Sequence, residues 1–347
     1  MIFGDCARIK KCVIHKVGNK LEDEELLLSK DLMTLSEEVE ATLLRYIFNG
    51  FKAKEYYNLF SEGDFADNNV YSSVAAIFDN NDDFYEESVA LARHLYSVGE
   101  SPKVLSGRLL VVHLDNCLVD GKTFEAIGLF KIESSVPYMK LSLNGDNYGV
   151  DLDEGIALDK MDKGCLIFNA EREQGFWVAV SESVRKASDA EYWVDMFLNA
   201  QQRKDEYFQT QNVMALCKNF VTEQLPEEFA VTKADQAAIL NKSVQFFKEN
   251  DTFDMDTFAQ EIMPDSQVVE SFKTYKDSFE QETEMKIGDN FNISETAVKK
   301  QSKSFKSVIK LDKNFHVYVH GDTKFIEKGF DDGVNMNYYR LYFNDEE

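Results

Sequence analysis

The run Leu109-Leu110-Val111-Val112-His113-Leu114, the pair Asp120-Gly121 and the run Phe124-Glu125-Ala126-Ile127-Gly128-Leu129-Phe130-Lys131-Ile132 decide the fold class. Two apolar, β-branched-rich runs around an Asp-Gly pair predict a β-hairpin, because Asp-Gly tolerates the positive φ that a tight hairpin turn needs. A second hairpin is expected where Cys165–Phe168 and Phe176–Val180 flank Glu173-Gln174-Gly175. Working outward toward the N-terminus, Arg8–Val17 reads as a strand, Gly18-Asn19 as a turn and Leu26–Leu28 as a partner. A helix is expected from Thr34, with Glu37 completing a T-x-x-E capping box, Val39, Leu43 and Ile47 on one face and Gly50 as the stop. Another is expected from Phe84 to Val98.

Toward the C-terminus the period changes. Residues 186–285 read as helical: Ser188 and Glu191 form a capping box before Tyr192, Trp193, Met196 and Phe197, and Thr232 with Asp235 opens a helix bearing Ile239, Leu240, Val244 and Phe247. Pro264 separates the last two helices of this stretch. A weak helix over Ile293–Phe305 precedes strands Val308–Leu311 and Phe315–His320, which flank Asp312-Lys313-Asn314, and a last strand, Met336–Phe343. The expected fold is therefore α+β: an N-terminal antiparallel sheet with helices over residues 1–183, then over 184–347 a helical domain that ends in a small β-meander.

The 347 residues suit two domains of roughly 100–200 residues each. A hydrophobic content of 44%, with 27 Phe and 15 Tyr, supplies a sizeable aromatic core and excludes wholesale disorder. Against 38 basic residues stand 62 acidic ones, a net charge of -24, which excludes uniform, histone-like coating of DNA but leaves localised contact open. No apolar run approaches ~18 residues, so no membrane association is expected, and the first 20 residues lack the features of a signal peptide. Five scattered cysteines without a C-x-x-C pair point to reduced thiols in a cytoplasmic protein.

Catalytic signatures are missing from the sequence: it contains no phosphate-cradling glycine loop, nucleophile elbow or zincin helix. His316 and His320 stand four residues apart in a strand pattern, about 13 Å, too far for one metal ion. His113, Asp115 and Cys117 could make a base and a thiol only if the fold joined them. Asp79-Asn80-Asn81-Asp82-Asp83 lacks the glycine and distal Glu of a calcium loop and reads as a solvated acidic loop. The expectation is a non-enzymatic protein with no catalytic residue, no metal and no cofactor.

One segment opposes the global charge. Between Ala297 and Lys313, Lys299, Lys300, Lys303, Lys306, Lys310 and Lys313 meet a single acid, Asp312. Such a strip can neutralise several phosphates, and lysine rather than arginine favours backbone contact over base reading.

The order of segments resembles the bacterial 37-kDa nucleoid-associated protein family (the NdpA-like group), in versions from Bacteroidetes-type bacteria. The resemblance is carried by Lys163-Gly164-Cys165-Leu166-Ile167-Phe168-Asn169, by Ala190-Glu191-Tyr192-Trp193 and Asp205-Glu206-Tyr207-Phe208, and by Lys242–Asn250 with Phe253-Asp254-Met255. Ile309–Gly321 and Met336–Phe343 continue it. The likeness covers nearly the whole chain, more clearly after residue 150. It implies a cytoplasmic, nucleoid-located protein whose partner is double-stranded DNA, met directly or through another protein, with a homo-oligomer left open. With the lysine strip, it points to DNA contact through Lys299, Lys300, Lys303, Lys306 and Lys310 with little sequence preference. The alternative, carried by the charge of -24 and the abundant Phe and Tyr, is an acidic adaptor that binds a DNA-handling protein rather than DNA.

Overall fold

The structure, a computed structural model, describes residues 2–4, 6–51, 55–119, 121–181, 183–184, 191–283, 285–305, 308–319 and 325–345. Asp120, Ser188, Lys306 and His320, singled out above, lie outside them. Two compact units divide the chain, Met1–Arg203 and Lys204–Glu347.

In the first unit the strands are β1 (Ile2–Phe3), β2 (Arg8–Val17), β3 (Leu26–Leu27), β4 (Tyr56–Leu59), β5 (Gly107–Val119), β6 (Lys122–Ile132), β7 (Ser135–Asn144), β8 (Asn147–Ile156), β9 (Lys163–Phe168), β10 (Trp177–Val180) and β11 (Ala200–Gln202). Nine of them form one antiparallel sheet in the order β11-β4-β10-β9-β6-β5-β2-β3, with β1 paired to β5. The expected hairpin is present: Val119 pairs with Lys122 and Gly121 takes φ +80°. Helix α1 (Glu37–Asn49) covers one face with Tyr46 and Ile47, while α2 (Asn69–Asp79) and α3 (Phe84–Ser97) cover the other with Val70, Val74, Leu91 and Leu95. Coverage on both faces explains why Leu109–Leu114 is a continuous buried run rather than an alternating one.

Three local readings change. Helix α1 is capped by Ser36, which accepts from the Val39 amide, and not by Thr34. Helix α2, capped by Asn68, was not expected. Glu191–Leu198, read with the helical part, forms a π-type helical turn whose Tyr192, Trp193, Phe197 and Leu198 belong to the core beneath α2 and α3, so periodicity alone grouped it with the wrong neighbours.

The second unit packs helices Glu206–Asn219, Lys233–Glu249, Met255–Ile262, Ser266–Thr283 and Glu295–Gln301 around a core rich in Phe. Thr232 and Asp235 make the expected reciprocal capping box. Phe247 stacks on Phe253 (5.6 Å between centroids, 3° between planes) and Phe258 meets Phe246 edge-on at 5.1 Å. Strands β12 (Thr252–Asp254) and β13 (Asn290–Asn292) pair across this core. The C-terminal strands β14 (Val308–Leu311) with β15 (Phe315–Tyr318), and β16 (Ile326–Asp331) with β17 (Met336–Leu341), form two separate two-stranded pairs.

Buried polar groups hold the first unit's core together. The Lys131 ammonium, fully buried, donates to the Leu105 carbonyl (2.7 Å) and the Tyr192 hydroxyl (3.2 Å) and lies 3.3 Å from the Glu133 carboxylate. Lys163 meets the other oxygen of Glu133 at 2.6 Å. Burial pulls the Lys131 ammonium down to about 8 against the opposing pull of Glu133. His15, His94 and His113 are each hydrogen-bonded inside: His15 Nε2 to Ser88 Oγ (3.0 Å), His94 Nε2 to the Phe197 carbonyl (3.0 Å) and His113 Nδ1 to Asn81 Oδ1 (2.9 Å).

Glu133→Gln removes the carboxylate that both ammonium groups share, and the expected loss of stability is about 3–5 kcal/mol. Lys131→Met deletes a desolvated charge and leaves Lys163 on Glu133, so it costs less; urea-unfolding midpoints check the order, and equal losses would contradict it. Burial, helped by Lys10, lowers His113 from 6.5 to about 4. Above pH 6.5 the ring is neutral in both folded and unfolded chains and its full contribution is present. As pH falls from 6.5 toward 4 only the unfolded chain takes up the proton, so stability falls by at most about 1.4 kcal/mol per pH unit for this residue. His113→Gln should therefore be penalised more at pH 7 than at pH 5 in urea unfolding, and a pH-independent penalty would refute this.

Candidate nucleic-acid interface

The lysine strip begins on helix Glu295–Gln301, whose N-cap is Ser294. Ala297 and Val298 are buried against the unit's core, which turns the next two residues outward. Lys299 and Lys300 are exposed in the last helical turn, where the carbonyl end of the helix favours cations. The helix is shorter than the expected 293–305: a 3-10 turn, Ser302–Ser304, follows and carries exposed Lys303. Lys310 is exposed on β14.

Each lysine has a distinct setting. Lys300 Nζ stands 5.5 Å over the Tyr207 ring. Lys299 lines a groove of about 390 Å³ together with Lys248, Asp251 and Glu295, over a floor that includes Phe247 and Val298. Two carboxylates in that groove offset its two ammonium groups, so its local field is near neutral. Among the described residues, Lys299, Lys303 and Lys310 are held in no ion pair.

The β14–β15 hairpin adds groups that the charge count overlooked. Its register sets Lys310 opposite His316 and Val308 opposite Tyr318, so all four share one face. The other face carries buried Ile309 with Leu311 and Val317, packed on Ala234 and Ala237. Lys310, His316 and Tyr318 are left exposed together, a cation beside two rings. Strand alternation through Phe315-His316-Val317-Tyr318 was the signal for this face.

The other chemical candidates are dispersed. A register shift in β5 between Leu114 and Cys117 puts Cys117 into the core under α1, whereas His113 lies against Phe78 and Phe84 on the opposite face. Burial, with Asp115 nearby, pushes the Cys117 thiol up to about 12, which removes it as a nucleophile near neutrality. Asp79 is held bidentately by Arg172 (2.5 and 2.6 Å), and Asn81 orients His113, so this acidic segment is a structural tie rather than a wholly solvated loop. Among the described residues no group of three or more His, Cys, Asp or Glu is placed to hold a metal ion. No helix among them is long and apolar enough to cross a membrane.

A family model described as nucleoid-associated protein YejK matches residues 13–337. No curated protein matches the chain. The match spans nearly the full sequence, and the chain belongs to this nucleoid-associated family.

Proposed function

We propose that this member of the YejK nucleoid-associated family is a non-enzymatic DNA-binding protein that grips the phosphate backbone through Lys299, Lys300, Lys303, Lys306 and Lys310. The observation that carries the reading is the exposure of Lys299, Lys300, Lys303 and Lys310 along helix, turn and hairpin, ending beside His316 and Tyr318. Each lysine placed against a phosphate releases condensed counterion, and that gain is local, so it survives in a chain of net charge -24. The remaining acidic surface repels DNA, which confines contact to the strip and favours a small footprint. Lysine ammonium groups act as point charges and read no base edge bidentately, so sequence preference is weak.

The charge of -24 also favours the second reading, an adaptor that reaches the nucleoid through a DNA-handling protein. One titration separates the two. Fluorescence anisotropy of a labelled duplex at about 50 and 200 mM salt should show binding that falls steeply with salt. Replacing Lys303, Lys306 and Lys310 together by Gln should weaken binding and flatten the log–log salt slope by roughly 0.9 for each phosphate no longer neutralised. Unchanged affinity in that variant removes the strip from the mechanism. No binding by the wild type at low salt transfers the nucleoid association to a partner protein.

A further inference from the structure

One long hairpin of the first unit, β7 with β8, stands outside its sheet. Strands β6 and β9 are adjacent in the sheet, with Lys131 paired to Lys163, yet between them the chain runs out along β7 and back along β8. The register pairs Met139 with Leu152, Leu141 with Val150 and Leu143 with Tyr148, so these six side chains share one face. The opposite face holds Lys140, Ser142, Asp151 and Asp153. The six are exposed by 74, 76, 66, 61, 64 and 74% in that pairing order.

A two-stranded hairpin with one bare apolar face is marginal in water. Its foot is nevertheless fixed: the amides of Glu133 and Ser134 each donate to Asp162 at 2.9 Å, and the Ser134 hydroxyl donates to the same carboxylate at 2.7 Å. At its tip Gly145 takes φ +64°, the left-handed conformation that closes the turn. The hairpin is thus anchored at its foot and closed at its tip, and its apolar face is exposed in the single chain.

We propose that this arm is a dimerisation element that packs its apolar face against the same face of a second copy. Six residues of this size exposed by 61–76% make an apolar patch of several hundred Å², at or beyond the largest patch usual for a monomer and comparable to the roughly 800 Å² that each partner contributes to a standard stable interface. Two such faces laid together across a two-fold axis satisfy each other without further surface. None of the six positions is charged, and Asp151 and Asp153 lie on the far face; the carboxylate that this face does carry, Glu154 opposite Pro137, sits toward the foot beyond Met139 and Leu152, so two chains of net charge -24 can close over the six with that carboxylate at the rim. The proposal is independent of the DNA-binding reading and can fail without it.

Sedimentation velocity on the full chain across the micromolar range tests it. The wild type should sediment at twice the chain mass, and Leu141→Glu with Leu152→Glu should weaken association by about 100-fold or more by burying two charges at the centre of the contact. Lys140→Glu with Ser142→Glu, on the far face, should leave the dimer intact. If the first pair disturbs folding, Leu143→Glu at the tip replaces it, with the same loss of dimer expected. A wild type that stays monomeric, so that some other protein covers the face, overturns the proposal. So does a dimer that the apolar-face substitutions leave unchanged.

Discussion

Strands β5, β6 and β9 are buried on both faces, and much else in the first unit answers to that constraint. A sheet in this position cannot alternate apolar with polar residues, so Leu109–Leu114 is buried throughout and successive side chains feed two cores in turn. Every polar group carried into it must bring a partner. His113 has Asn81, and Lys131 has Glu133, Tyr192 and the Leu105 carbonyl. Those partners come from segments far away in sequence, which fixes α3, the loop before it and the Tyr192 turn against the sheet. The register shift before Cys117 serves the same end: it keeps an apolar group facing α1 after Asp115 and Asn116 have reached the edge.

Electrostatics divides the molecule differently. A chain of net charge -24 repels polyanions at a distance, yet screening limits that repulsion to about 8–10 Å at physiological salt. Inside that range local arrangement decides, and the strip from Lys299 to Lys313 is locally cationic. Within it the lysines are not equivalent. Lys299 shares its groove with Asp251 and Glu295 and is largely offset, while Lys303 and Lys310 stand clear of ion pairs among the described residues. Counting charges along the sequence treats these lysines alike; the fold ranks them.

What could be read in advance follows the range of the forces involved. Strand Arg8–Val17, the helix starting at Phe84 and the Thr232 capping box depend on neighbours within a few residues, and their sequence signals agree with the structure. The start of α1 is displaced because Thr34 and Ser36 both offer a capping hydroxyl, and only the packing of Tyr46 and Ile47 on the sheet selects between them. Asn81 under His113 joins residues 32 positions apart, and no spacing rule reaches that far. The lysines were legible as charge; the face that sets Lys310 beside His316 and Tyr318 required the hairpin register.

The β7–β8 arm shows a subtler gap. Its signal was in plain view: Met139, Leu141 and Leu143 alternate on one strand, Tyr148, Val150 and Leu152 on the other, and Asn144-Gly145 joins them. Period two, however, says only that one face is apolar and is silent on what lies over that face. For β2 the cover on one face is α3 and the rest of the core, and Val13 and Val17 are buried there. For the arm nothing in the described chain provides cover, although Asp162 ties its foot to the sheet. Three hydrogen bonds fix the base from which the exposed apolar face extends, so the direction in which the arm leaves the sheet is set within the single chain. Such prior orientation lowers the entropy cost of association, an advantage that matters to a binding element and that a by-product of folding would not need.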